Sequence, residues 1–421
     1  MAKILKLIIN ILKLFGLPHR SPVLFYPVLN NSLRTFFDKQ FNKQITPLSH
    51  SIDKKLPFKI NYYTDMSVHS SGGTGTGSNQ LARVLINLNI PIHNCFVQTH
   101  ASIPTNLTQK ASSFDGIINI FHINLRQLIY FYHLIGRKTF QNHYNIAYVY
   151  WELESLPKLW NNIFLLLDEI WTPSEFSRRA IASQSTIPVF TIPPVIESLQ
   201  HDSERRRFDL PDDKFIFLFT FDFQSYFDRK NSTAVVAAFC KAFGNNSNLL
   251  LVIKCANSAR YPIEKKALLR AVRQTNIRVL DTTYSHEESK RLINVCDCYT
   301  SLHRAEGFGF TIAEAMAAKK PVIVTGYSGN MDFTHDDNAY LVKYKLVPLK
   351  KNIGPYPEGF LWADPDLRHA AELMRFVYDH YDKAKEKASY GAKFIETYYN
   401  SSRVGMLIKE RLNAIYQSIQ P

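Results

Sequence analysis

From about residue 58 the chain alternates short apolar, β-rich runs with longer stretches whose apolar residues recur every three or four positions. The short runs of the first half are 58–65 (FKINYYTD), 94–98, 117–121 (IINIF), 146–150 (IAYVY), 169–172 and 188–192. Those of the second half are 215–221 (FIFLFTF), 249–254 (LLLVIK), 277–280, 298–302, 321–324 (PVIV) and 339–342. Runs so short and so apolar predict strands buried on both faces. The stretches between them, such as the one holding Leu81, Val84, Leu85 and Leu88, predict the helices that cover those faces. Strands alternating with helices make a parallel, doubly wound sheet, and the pattern runs through twice. The expected fold class is therefore α/β, two Rossmann-like domains facing across a cleft. Pro193-Pro194 and the charged, strand-poor SERRRFDLPDDK mark a hinge between them. In such a pair the strand C-termini point at one crevice, so chemistry is sought in the loops that follow the strands.

Composition narrows the class. With 421 residues, 46% apolar and 20% charged, the chain is long enough for two or three domains and too apolar to be mainly disordered. Sixteen glycines and five cysteines exclude collagen-like and disulfide-scaffold proteins. Cys95, Cys240, Cys255, Cys296 and Cys298 are odd in number and form no CxxC pair, which indicates reduced, mostly buried thiols and a cytoplasmic location. The early apolar runs are broken by Lys or Asn, so a polytopic membrane protein is excluded.

The formal net charge of +14 is unevenly placed, with ten Lys or Arg against Asp38 and Asp53 in residues 1–60. In MAKILKLIINILKLFGL, residues 1–17, Lys3, Lys6, Asn10 and Lys13 form one polar stripe on an otherwise apolar helix. That suits an interfacial helix on an anionic membrane surface, each nearby Lys contributing about 1 kcal/mol. A helix docked on the protein core has the same pattern. No uninterrupted apolar region with a cleavage site follows, so a signal peptide fits poorly. Apolar residues outnumber cations in this stretch, which argues against a nucleic-acid partner.

Three loops carry candidate chemistry. The first, Ser71 to Ser78, holds Gly72, Gly73, Gly75 and Gly77 between the first strand and the helix NQLARVLINL. Glycines there let backbone N–H groups approach a phosphate at a helix N-terminus, although an ordinary flexible turn has the same composition. The second, DFQSYFDRKN, places Arg229 and Lys230 at the start of a helix, where the macrodipole favours anions. A bound diphosphate would offset them, as would Asp222 or Asp228. The third, SLHRAEGFGFTIAEAM, puts Glu306 in a loop and Glu314 in the first turn of a helix beginning at Thr311. Thr311 and Glu314 also have capping-box spacing, which leaves Glu306, Gly307 and Gly309 unexplained.

EGFGFTIAEAMAAKKPVIVTGYSGN resembles the Glu-x7-Glu signature of retaining glycosyltransferases of family GT4, which have the GT-B fold. FDFQSYFDRKN resembles the family's diphosphate loop, LLLVIK its second C-terminal strand, and NIAYVYWELESLPKLW with DEIWTPSEFSRRAI a subgroup's N-terminal domain. The resemblance spans about 58–400. Many members carry Gly-Arg where this chain has Phe221-Asp222-Phe223. The resemblance implies an N-terminal basic segment (1–57), an acceptor-side domain (58–200), a nucleotide-sugar domain (201–390) and a C-terminal helix (391–421) crossing back onto the first domain. It implies further that Glu314 bonds the ribose hydroxyls, and that Glu306 lies near the transferred sugar and the reacting carbon. Arg229 and Lys230 would neutralise the diphosphate, and the backbone around Phe308, Gly309 and Phe310 would hold sugar and phosphate. His122, closing run 117–121, would face the sugar; Glu152 and Glu154 are weaker acceptor-side candidates with the look of helix-start acids.

The function expected is retaining transfer of a hexose from a nucleoside-diphosphate sugar to a glycan or glycolipid, without cofactor. Asp364-Pro365-Asp366 is the Asp-x-Asp match, and it reads as a loop, so no required metal is expected. A GT-B nucleotide-sugar epimerase and a non-catalytic GT-B binding protein are the alternatives. A Rossmann dehydrogenase is excluded, since no GxGxxG follows a strand with an acid about 20 positions on.

Overall fold

The structure is a computed structural model describing residues 38–39, 41–43, 45–48, 52–53, 56–65, 73–97, 115–197 and 204–419. The amphipathic segment 1–17 and Gly72 lie outside the described residues. Strands β1 (Ile60–Asp65), β2 (Ile92–Val97), β3 (Ile118–His122), β4 (Tyr144–Tyr148), β5 (Glu169–Thr172) and β6 (Val189–Thr191) pair in parallel in the order β2-β1-β3-β4-β5-β6. Strands β7 (Phe215–Asp222), β8 (Leu249–Ala256), β9 (Ile277–Asp281), β10 (Cys298–Ser301), β11 (Val322–Thr325) and β12 (Tyr340–Val342) form a second parallel sheet, β12-β11-β10-β7-β8-β9. Every apolar run singled out in the sequence has a strand at or within a few residues of it. The antiparallel hairpin β13 (Tyr344–Pro348) and β14 (Leu361–Pro365) was not expected. Its first strand is largely exposed, so it lacks the apolar run that marks the others.

Helices cover both faces of each sheet. In the first, Tyr63, Phe121, Ala147, Val149 and Ile170 pack one face, while Ile60, Tyr62, Ile118, Ile120, Ile146 and Tyr148 pack the other. The second face is covered by helix Gly73–Asn87 through Leu81, Val84 and Leu85, and by helix Ser401–Ile419 through Val404, Ile408, Leu412 and Ile415. The last helix of the chain thus packs on the first sheet. Helix Tyr381–Tyr398 runs through residue 391, so the terminal segment starts later than expected, after Asn400.

An ion pair fixes that crossing. Glu169, fully buried on β5, accepts from Arg411 at 2.5 Å and from Tyr144 Oη at 3.0 Å. The Arg411 guanidinium also lies 3.9 Å above the Phe190 ring centroid. Removing one member of a buried pair leaves an uncompensated charge at a cost of about 3–5 kcal/mol. Arg411→Met is therefore expected to lower the melting temperature by several degrees, whereas Arg403→Met, on the exposed side of the same helix, should move it little; equal melting of both variants would refute the latch.

In both sheets the strand order reverses once, between β1 and β3 and again between β7 and β10. Crevices at such switch points are where open α/β sheets hold ligands. The glycines of helix Gly73–Asn87 follow β1, His122 closes β3, Arg229 and Lys230 follow β7, and Glu306 follows β10.

Candidate active site

The β7/β10 crevice holds a charged cluster. Lys230 Nζ lies 2.5 Å from Glu306 Oε1, and Arg229 Nη1 lies 3.2 Å from Glu306 Oε2. Arg229 also donates to the Ala305 carbonyl at 2.7 Å and sits 3.8 Å from Glu152 Oε1. Arg229 and Glu306 are buried, Arg229 at 4% exposure, and Lys230 is half-buried. Burial alone would raise the Glu306 pKa, but Lys230 and then Arg229 outweigh it and hold the carboxyl at about 2. Glu306 is therefore an anion at any physiological pH and is unsuited to act as a general acid.

The Glu306 loop is held from both domains. Ser328 Oγ accepts from the Glu306 N–H at 2.8 Å, and Ser174 of the first domain donates to the Gly307 carbonyl at 2.6 Å, while Ser177 beside it donates to the Trp151 carbonyl at 2.6 Å. The following helix starts at Phe310 with Gly309 as its N-cap at φ 99°, one residue before the expected start at Thr311. Glu314 thus falls in the second turn, and no capping box forms. Its carboxylate instead takes a 2.6 Å contact from His286 Nε2, and Thr311 Oγ1 accepts from Tyr299. The Phe308 side chain is core, packed against Phe333 and Tyr399 at 5.0 and 5.7 Å between ring centroids. Only its backbone is placed to meet a ligand.

Across the cleft, at the β1/β3 crevice, His122 stacks on Tyr148 at 4.3 Å. Tyr62 Oη is 2.8 Å from His122 Nδ1 and 2.9 Å from the Ser78 carbonyl. That carbonyl can only accept, so the single phenolic proton goes to it and Nδ1 donates to Tyr62. Nε2 is then a bare acceptor, buried and without a hydrogen-bond partner among the described residues. Burial pushes the His122 pKa down to about 3, so the ring is neutral. A neutral imidazole with a free lone pair accepts a hydroxyl proton, as a sugar would offer.

From Gly73 onward the glycine-rich stretch is helical, Gly73 and Gly75 occupying the first turn of helix Gly73–Asn87. Gly77 has a packing reason. A Cβ there would lie 2.0 Å from Tyr150 Oη and 3.1 Å from Phe310 Cζ, where the two domains meet. Gly77→Ala is expected to cost about 1–3 kcal/mol through overpacking. Adding Tyr150→Phe should recover most of that loss in a thermal melt; no recovery would place the strain elsewhere.

Glu152 and Glu154 are not helix-start acids but lie in the segment between β4 and the turn Lys158–Leu166. Glu152 faces Arg229, and Glu154 Oε1 accepts from Tyr327 at 3.2 Å, so both join the domains. Asp364 lies in β14 bonded to Arg304, and Asp366 caps the next helix. Among the described residues no cluster of His, Cys, Asp or Glu could hold a metal. Three neighbours of the cluster escaped the sequence reading. His303 is buried between Ser301 and Asn330; Ser328 holds Glu306; Tyr356, at the hairpin's tip, packs on Trp151 and Tyr226 at 5.6 and 5.3 Å beside Arg229. The His303 position follows a strand C-terminus, a signal that could have found it.

Among solved structures the chain is similar to Anabaena HepE in complex with UDP and glucose, with a TM-score of 0.59, 13% identity, and coverage of 85% of this chain and 100% of that one. It is similar to a glycosyltransferase from Rickettsia africae at a TM-score of 0.64 and 14% identity, covering 85% and 98%. Sucrose-phosphate synthase from Thermosynechococcus elongatus gives 0.63 and 12%, covering 86% and 100%. The fold is GT-B. Within it, residues 200–347 match the family described as glycosyl transferases group 1, so the second GT-B domain carries that family's signature. No curated protein matches the sequence significantly. The Arg229–Lys230–Glu306 cluster and Glu314 all fall inside the matched region of the GT-B chain.

Proposed function

We propose that the protein is a retaining, metal-independent hexosyltransferase of the GT4 type, moving a sugar from a nucleoside-diphosphate donor to a glycan or glycolipid at an anionic membrane surface. The observation that carries the reading is the buried Arg229 and half-buried Lys230 converging on Glu306 at the β7/β10 switch point, opposite His122. Breaking an anomeric C–O bond builds negative charge on the departing diphosphate, and cations already fixed there are worth most in the transition state. Lys230, Arg229 and the N-terminus of helix Phe310–Ala317 take that charge. The donor's phosphates compete with Glu306 for the same two cations, and Glu306 is left facing the positive charge that develops at the sugar. Glu314 binds the ribose hydroxyls, and His122 Nε2 accepts from a sugar hydroxyl. The acceptor attacks from the face the diphosphate leaves, with a phosphate oxygen as base, which gives retention.

Incubation with a panel of nucleotide sugars in EDTA should release one nucleoside diphosphate, and the anomeric configuration of the product should match the donor's. Release from none of them, with or without added metal, would defeat the enzyme reading. Membrane attachment rests on the basic apolar pattern of residues 1–17. Among the described residues no helix is long and apolar enough to cross a membrane. Deleting residues 2–20 should abolish co-sedimentation with anionic vesicles; unchanged co-sedimentation would remove that part of the proposal.

A further inference from the structure

The chemistry above leaves one buried cation unused. Lys254 lies on β8 in register with Thr220 of β7 and Leu280 of β9, so its side chain rises on the face covered by helices His286–Val295 and Phe310–Ala317. It is only 6% exposed, yet among the described residues it makes no hydrogen bond and no ion pair. Its ammonium stands 5.6 Å from the centroid of the Tyr284 ring. The acid that acts on it most, Asp222, has its carboxylate occupied by the Gln224 N–H and Asn257 Nδ2. Burial pulls Lys254 below the usual lysine range. Its stem is buried while the ammonium itself retains solvent access, with no acceptor fixed beside it. A partner arriving from solution accounts for it.

The order of the sheet indicates which part of a ligand arrives there. Read along β10-β7-β8-β9, Glu306 follows β10 and Arg229 and Lys230 follow β7. Lys254 stands on β8, and Tyr284 and His286 follow β9, with His286 bound to Glu314. A nucleoside diphosphate with its phosphates on Lys230 and its ribose on Glu314 extends its base toward β8 and β9. Resting on the donor reading above, we propose that Lys254 and Tyr284 form the base subsite, the Tyr284 ring lying against the base and the Lys254 ammonium donating to a ring carbonyl. An ammonium has donors and no acceptor, so at the carbonyl position it favours uracil or guanine over adenine, which presents an amino donor where guanine has its carbonyl.

Calorimetric titration of UDP, GDP, ADP and inorganic diphosphate against the full chain, Lys254→Met and Lys254→Arg tests this. Wild type should bind UDP or GDP at least roughly tenfold more tightly than ADP, the value of one charged hydrogen bond. In Lys254→Met that preference should collapse while diphosphate affinity is unchanged, and Lys254→Arg should keep much of it. The ligand-free Lys254→Met should melt close to wild type, because no hydrogen bond or ion pair is removed. Equal weakening of ADP and diphosphate would make Lys254 a phosphate ligand and overturn the proposal. So would a lower melting temperature with unaltered base preference, which marks a structural lysine. If UDP or GDP binds and Lys254→Met leaves its preference intact, the base subsite alone fails; if no nucleotide binds wild type, the donor reading fails with it.

Discussion

Glu306→Gln is expected to cost the ligand-free protein about 3 kcal/mol and to reduce turnover by roughly a hundredfold or more. The glutamine keeps the shape and the Ser328 contact to the backbone but leaves Lys230 and Arg229 converging on a neutral group. The pH dependence separates this electrostatic origin from simple misfolding. A carboxyl held at about 2 when folded, against an ordinary value of 4.5, contributes stability that is complete above about 4.5 and lost as pH falls toward 2. That shift corresponds to about 3 kcal/mol. Wild type should lose the increment between those limits, and Glu306→Gln should lack it throughout. A saturating nucleoside diphosphate supplies the missing anion, so it should stabilise Glu306→Gln more than wild type. Parallel pH–stability curves for the two proteins would contradict the assignment.

The second large effect is expected at Gly329, which touches no charge. A Cβ there would lie 2.3 Å from the Gly307 carbonyl oxygen and 2.9 Å from that of Glu306. Both obstacles are backbone, and the Gly329 N–H already bonds the Glu306 carbonyl at 2.9 Å. The loop cannot retreat without breaking its bond to Ser174 of the other domain. Gly329→Ala should therefore displace Glu306, lowering stability by about 2–3 kcal/mol and turnover by roughly a hundredfold, the scale of a 1 Å misplacement. Gly326→Ala is the control, since its Cβ would meet nothing closer than 3.5 Å. Retained turnover in Gly329→Ala would show that the loop's position matters little.

The central strands of both sheets, such as β3, β8 and β10, were legible because each is buried on both faces, which writes itself as an unbroken apolar run; the edge strands β6 and β9 are only partly buried. Hairpin β13–β14 was not, since residues such as Tyr344 and Leu346 alternate with Lys345 in a largely exposed strand. The start of helix Gly73–Asn87 was hidden by glycines, which read as a turn; of these Gly77, in its second turn, stands where Tyr150 leaves no room for a side chain. Among site residues, Lys230 and Glu306 could be singled out from their own loops. Their contact follows only from β7 and β10 being neighbours in the sheet, which order in the chain conceals. Glu152 was undervalued for the same reason: its partner Arg229 belongs to the other domain. The free acceptor on His122 depends on where Tyr62 sends its proton, which no spacing in the sequence records.

The most direct test of the diphosphate site is a thermal melt of wild type and Lys230→Ala, each with UDP, GDP, ADP or CMP. A ligand at 100 times its Kd adds about 2.7 kcal/mol, enough to move the transition by a few degrees. One nucleoside diphosphate should stabilise wild type by that amount and leave Lys230→Ala unmoved. Stabilisation of both proteins alike, or of neither by any of the four, would contradict the placement of a donor diphosphate on Lys230, Arg229 and Glu306.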